Sequence, residues 1–127
     1  MTTTAKIPFA VMTVGGTDYR LKINTQAAID AEKKLGTSIP RAWVRLDETE
    51  VQVTILWAAL QAFNSGMTFE ETIRLRDRFL DEADDALGME ALADIIKEVY
   101  ICSGFMKREQ PKKDEDEEVP GEKTAEN

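Results

Sequence analysis

Histidine, the side chain used most often for proton transfer near neutral pH, does not occur in this chain, and Cys102 is its one thiol. A zinc site draws several ligands from cysteine and histidine, and here the supply is one. Cys102 has no histidine to activate it, and no G-x-S-x-G is present to build a serine nucleophile. Gly15-Gly16 is not followed by a helix at phosphate-loop spacing, and neither G-x-G-x-x-G nor G-x-x-x-x-G-K occurs. Carboxylates are plentiful. The densest cluster in the body is Asp81, Glu82, Asp84 and Asp85. A calcium loop needs ligands at alternate positions, a central glycine and a closing glutamate, a spacing this stretch lacks. It reads as a solvated loop. The expectation is a protein without catalytic residues, cofactor or metal, one that works by binding other proteins.

Charge narrows the partners. The 127 residues carry 16 Lys and Arg against 24 Asp and Glu, a net charge of −8. That sign opposes both nucleic acid and anionic lipid, since there is no basic field to neutralise phosphates. No window approaches the ~20 apolar residues of a membrane span, and the N-terminus carries no stretch of signal-peptide length. With one cysteine and no possible intramolecular disulfide, the expected setting is a reducing cytoplasm.

The chain divides in two. One folded domain is expected over residues 1–106, with regular elements from about Ile7. The tail, 107–127, reads KREQPKKDEDEEVPGEKTAEN and holds 13 charged residues in 21. So little apolar surface cannot offset chain entropy, and the tail is expected to be disordered. It admits two readings, a solubilising terminus, as such charge runs usually are, or a tether or docking segment that orders on binding.

The elements that must position any binding surface follow from periodicity. A β-hairpin is expected over about 9–23, with Gly15-Gly16 supplying the positive φ of a tight turn. Tyr19, Leu21 and Ile23 alternate with Arg20 and Lys22, a half-buried strand, whereas the strand from Phe9 to Val14 is apolar on both faces. A lone hairpin is marginal, so it must pack on helices or pair with another chain. Residues 24–106 have helical period. Asn24 or Thr25 caps a helix ending at Leu35-Gly36, and Pro40 opens a short segment through Leu46. Asp47 with Glu50 resembles a capping box, and Leu46 with Val51 a hydrophobic staple. Val51, Ile55, Leu56, Ala59, Leu60 and Phe63 then form a stripe. Thr68 with Glu71 opens the next helix through Ile73, Leu75, Phe79 and Leu80, where Glu70 and Arg74 have ion-pair spacing. The last helix carries Leu92, Ile95, Ile96 and Val99 and closes at Ser103-Gly104. The fold class is α+β, helix-dominated: an N-terminal β-hairpin followed by four to five helices packed on one face of the sheet.

Four apolar side chains are candidates for partner binding: Trp43, Trp57, Met67 and Met106. Trp57 lies off the centre of its stripe and either extends the core or faces a neighbour. Trp43 sits on a short segment between Pro40 and Asp47 and is open to both readings. Met67 and Met106, with Phe69 and Phe105, stand at segment ends, where apolar groups cap a core or present an adaptable surface. Phe69 and Phe105 read as core, and Cys102 as a small buried hydrophobe.

Three stretches together resemble the tail assembly chaperones of long-tailed, siphovirus-type bacteriophages and prophages. They are YRLKINTQAAIDAEKKLG (Tyr19 to Gly36), VTILWAALQAFNSGMTFEETIRL (Val53 to Leu75) and LADIIKEVYICSGF (Leu92 to Phe105), about half the chain. The resemblance implies a non-catalytic assembly factor in the host cytoplasm, not retained in the mature virion. Its partners would be the helical, apolar tape measure protein, which it keeps soluble, and the tail tube protein, whose subunits it recruits. It implies self-association into a homo-oligomer. It also implies a frameshifted longer form, with Lys112 and Lys113 as the candidate slippery codons; a reading of those codons without a slip heptanucleotide removes that idea. The competing readings are a structural phage protein (head–tail connector or tail completion subunit) and an acidic DNA-mimic inhibitor. The mimic needs carboxylates at phosphate-like spacing, yet Arg74, Arg76 and Arg78 interrupt the acids.

Overall fold

Gly15 and Gly16, with φ of 59° and 79°, make the first turn of the computed structural model, which describes residues 8–83 and 87–108. Positive φ at both central positions gives a two-residue turn whose twist matches the strands it joins. Those strands, β1 (Ala10–Val14) and β2 (Thr17–Leu21), pair antiparallel with Val14 opposite Thr17, Met12 opposite Tyr19 and Ala10 opposite Leu21. Of the two apolar faces expected for the first strand, one is covered. Ala10, Met12 and Val14 are buried, while Val11 and Thr13 face solvent. The pleat sends alternate side chains to opposite faces, and the helices cover only one of them.

Two helix starts follow their caps. α1 (Thr25–Leu35) begins where Asn24 Oδ1 accepts the Ala27 N–H at 2.9 Å, and ends on Gly36 with φ of 70°. α2 (Ile39–Ala42) has Pro40 in its first turn, takes its cap from Ser38, and runs into a 3-10 turn at Trp43–Arg45. The next start departs from the sequence reading. α3 (Thr49–Leu60) has Glu48, not Asp47, at its N-cap, and no side chain caps it. Arg45 is the reason: its Nε and Nη2 each donate to the Glu48 carboxylate at 3.0 Å. Those bonds hold the Glu48 carboxyl below its usual range and occupy the oxygens.

α4 (Phe69–Glu82) carries the full capping box: Glu71 N–H donates to Thr68 Oγ1 at 3.0 Å and Thr68 N–H to Glu71 Oε1 at 2.8 Å. The expected Glu70–Arg74 pair does not form; the ion pair on this helix is Arg78–Glu82 at 3.5 Å. α5 (Gly88–Cys102) starts after Leu87, again without a side-chain cap.

α3 is the axis of the core. Every residue from Val51 to Leu60 is buried except Trp57, so the expected stripe is a helix enclosed on all sides. A helix apolar all round belongs inside. Its two buried polar side chains are satisfied, Thr54 by the Glu50 carbonyl at 2.7 Å and Gln52 as described below. One apolar cluster runs from Met12 and Leu21 of the hairpin through Ala31, Ile39 and Ile55 to Leu92 and Val99. The hairpin is fastened to it by Lys22 N–H donating to the Ala59 carbonyl at 2.9 Å. α4 contributes least: Thr72 and Leu75 are buried, whereas Ile73, expected in its stripe, is exposed. No described helix is long and apolar enough to cross a membrane.

Candidate protein-binding groove

The turn after α2 and the first half of α5 leave an apolar groove between them. Trp43 forms one wall, held edge-to-face on Tyr100 with ring centroids 5.0 Å apart. Leu46, the residue after the 3-10 turn, continues it. Met89, Leu92, Ala93 and Ile96 form the opposite wall. Positions 89, 92, 93 and 96 share one helical face, which is why one helix supplies all four. Ala93 is the small member, and its short side chain leaves room between the larger ones. The groove encloses ≈270 Å³, just below the roughly 300–1,000 Å³ of small-molecule pockets.

Gln52 lies on its floor and supplies the polar part of the lining. Its Nε2 donates to the Leu46 carbonyl at 2.7 Å, and its Oε1 accepts from Arg76 Nε at 3.1 Å and Nη2 at 2.7 Å. Arg76 Nη2 also lies 3.8 Å from Met89 Sδ. The amide is thus engaged from both ends by the protein itself. What the groove offers a visitor is apolar contact, with little directed hydrogen bonding.

Met89 is 50% exposed and Leu87, two residues before it, 52%. Val44, beside Trp43 on the 3-10 turn, is 81% exposed. Scattered exposed apolar residues need no explanation; of these three, Met89 lines the groove, and Val44 and Leu87 are near lining residues in sequence.

The four sequence candidates do not converge. Trp43 alone lines the groove. Trp57 is half-buried and stacks edge-to-face with Phe69, centroids 6.2 Å apart. Lys34 Nζ lies 5.3 Å from the Trp57 ring and 4.5 Å from Phe69, a cation–π cap that shields both. Met67 lines a shallow hollow together with Tyr19, Arg74, Leu75 and Arg78, and packs against the core. Met106 packs against the core beyond the end of α5, as does Phe105. Lys112 and Lys113 lie outside the described residues, as do Asp84, Asp85 and the tail from residue 109. Of the acidic cluster, Glu82 accepts the Gly15 N–H at 2.7 Å and so ties the hairpin turn to α4. Among the described residues no three Cys, Asp or Glu side chains come together as metal ligands.

Cys102 is buried, with Sγ 3.7 Å from the Leu21 carbonyl, and burial pushes its thiol up. A thiol in that state is a packing group rather than a nucleophile. Sequence reasoning missed Leu46, Met89 and Ala93 as groove residues. Met89 three before Leu92 was a visible signal, but nothing in the spacing says that this face meets the Trp43 turn. No protein-family model, curated protein or solved structure matches the chain.

Proposed function

We propose that this chain is a tail assembly chaperone of a long-tailed bacteriophage or prophage, which binds the tape measure protein and keeps it soluble in the host cytoplasm. The observation that carries this reading is the open apolar groove between Trp43 and Met89. A tape measure protein is a long helical chain with apolar faces, and a helix ridge laid in a groove is one of the recurring modes of peptide recognition. The ≈270 Å³ volume suits one or two large apolar side chains of such a ridge rather than a whole small molecule. The three stretches that resemble the family support the same reading, and they include α5 from Leu92 onward. Recruitment of tail tube subunits is the second half of the role, and presence in the finished virion is not part of it.

The test is co-expression with the tape measure protein encoded beside this gene. The wild-type chain is expected to move an otherwise insoluble tape measure fragment into the soluble fraction, and Met89→Lys to abolish that rescue while remaining folded. Unchanged solubility with the wild type, or stoichiometric presence in purified particles by mass spectrometry, sinks the reading.

A further inference from the structure

Arg76 brings a cation to the wall of the groove, and the side chain it meets there is neutral. Its Nε and Nη2 both donate to the Gln52 amide oxygen, and Nη2 lies 3.8 Å from Met89 Sδ, so the guanidinium stands against two lining residues. Among the described residues Arg76 forms no ion pair, and no hydrogen bond from its Nη1 is present. An amide oxygen occupies part of the guanidinium fork but brings no opposite charge.

The same side chain lines a second hollow. Between α3 and α4, Val53, Phe69 and Ile73 enclose ≈360 Å³ together with Arg76. Phe69, Ile73 and Arg76 recur at helical spacing, so α4 presents them on one face. Ile73 is 39% exposed there. The cation therefore lies where two apolar surfaces meet. Glu50 and Asp77 also line the second hollow, yet neither pairs with Arg76, and the lining of the groove itself contains no acid.

We propose that Arg76 sets the specificity of the groove, selecting a client helix that carries a carboxylate between apolar anchors. This rests on the reading of the Trp43–Met89 groove as the client site and adds which helices that site takes. Apolar side chains three or four residues to either side of a central position share its helical face. Laid across Arg76, they enter the groove on one side and the Val53–Ile73 hollow on the other. The central carboxylate then accepts from Nη1, a charge-assisted bond. A single alkyl chain ending in a carboxylate cannot put apolar groups on both sides of its charge, so the occupant is a peptide helix.

Local and overall charge make opposite demands. The chain carries −8, a field that favours a basic ligand. At physiological salt that field is screened within about 8 Å, whereas a carboxylate on Arg76 is in direct contact. The contact decides, and an acidic helix binds more tightly than a basic one in spite of the net charge.

Synthetic helices of about 15 residues test this on the full chain by titration calorimetry. Each has leucines three and four residues to either side of a central Glu, Gln or Lys, and an isomer has central Gln with the Glu moved to the opposite face. At ~0.15 M salt the Glu helix is expected to bind roughly tenfold more tightly than the Lys helix, with Gln between. Arg76→Gln, with its helical circular dichroism intact, removes the difference. Arg76→Glu reverses it, a swap that a purely structural role for Arg76 does not produce. Should both variants lose the helical signal, the isomer decides on the unaltered chain, where it binds no more tightly than the Gln helix. Equal binding of the Glu and Lys helices, a preference for Lys, or a gain that follows Glu to the opposite face overturns the inference. If all the helices bind equally and Ala93→Trp, which fills the groove, removes that binding, the groove stands as the client site and only the role of Arg76 falls. No binding of any helix overturns both.

Discussion

The two ends of α5 belong to the same helix but have opposite fates. At its C-terminal end Val99, Tyr100 and Cys102 are buried, the Tyr100 hydroxyl donates to the Ile39 carbonyl at 2.7 Å, and Phe105 stacks near the Tyr100 ring. The chain then doubles back, with Phe105 N–H on the Tyr100 carbonyl at 2.8 Å and the Ser103 hydroxyl accepting the Ile23 N–H at 2.9 Å. At the N-terminal end, Leu87 and Met89 face solvent and no side chain caps the first turn. The residue types at the two ends are similarly apolar. What separates them is how far the neighbouring elements reach: the hairpin and α2 cover one end, whereas at the other α4 packs against Gly88 but leaves Leu87 and Met89 half in solvent. One end anchors the fold. The other keeps Leu87 and Met89 about half exposed.

Substitutions should break this contrast unequally. Tyr100→Ala, at the anchored end, is expected to cost about 3–5 kcal/mol, the range for emptying a large aromatic site, read as the shift in a denaturant midpoint. Tyr100→Phe keeps the ring and leaves the Ile39 carbonyl without its donor, for a loss of about 1–3 kcal/mol. The same hydroxyl makes stability depend on pH. Burial pushes the Tyr100 phenol up to about 12, so the folded chain holds the proton more tightly than the unfolded one. The contribution is complete below the unfolded value near 10 and is lost as pH rises through about 12. Tyr100→Phe should flatten the stability profile over that interval, and an unchanged slope contradicts the burial assigned to the hydroxyl.

Smaller effects test the caps and the open end. Thr68→Ala dismantles the α4 capping box and is expected to cost about 1 kcal/mol by thermal melting. At the open end, Leu87→Ser should change stability by no more than about 0.5 kcal/mol, because the side chain is half in solvent already. If Leu87→Ser destabilises as much as Tyr100→Phe, the two ends of α5 are not the opposites described above. A loss of tape measure solubilisation in Leu87→Ser with stability unchanged would sharpen the contrast into a division of labour.

Much of the local structure was legible because it depends on neighbours in sequence. Gly15-Gly16, Asn24, Gly36 and the Thr68–Glu71 pair act within three or four residues, and each is where the spacing placed it. Asp47 misled for an instructive reason. Its capping-box spacing with Glu50 is sound, but Arg45 engages Glu48 and the helix starts one residue later. Trp43 was recognisable as a residue of interest, though not as one wall of a groove whose other wall lies more than forty residues on.

The amino-acid sequence by itself determined the order of hairpin and helices, the absence of histidine, and the acidic balance of charge. Those are matters of composition and of local period. Which apolar faces are covered was decided only by the tertiary structure. Val11 and Val14 look alike along the chain, as do Leu87 and Leu92, yet one of each pair is buried and the other is not. Apolar burial carries no direction of its own, so a face is closed only where packing brings another element against it.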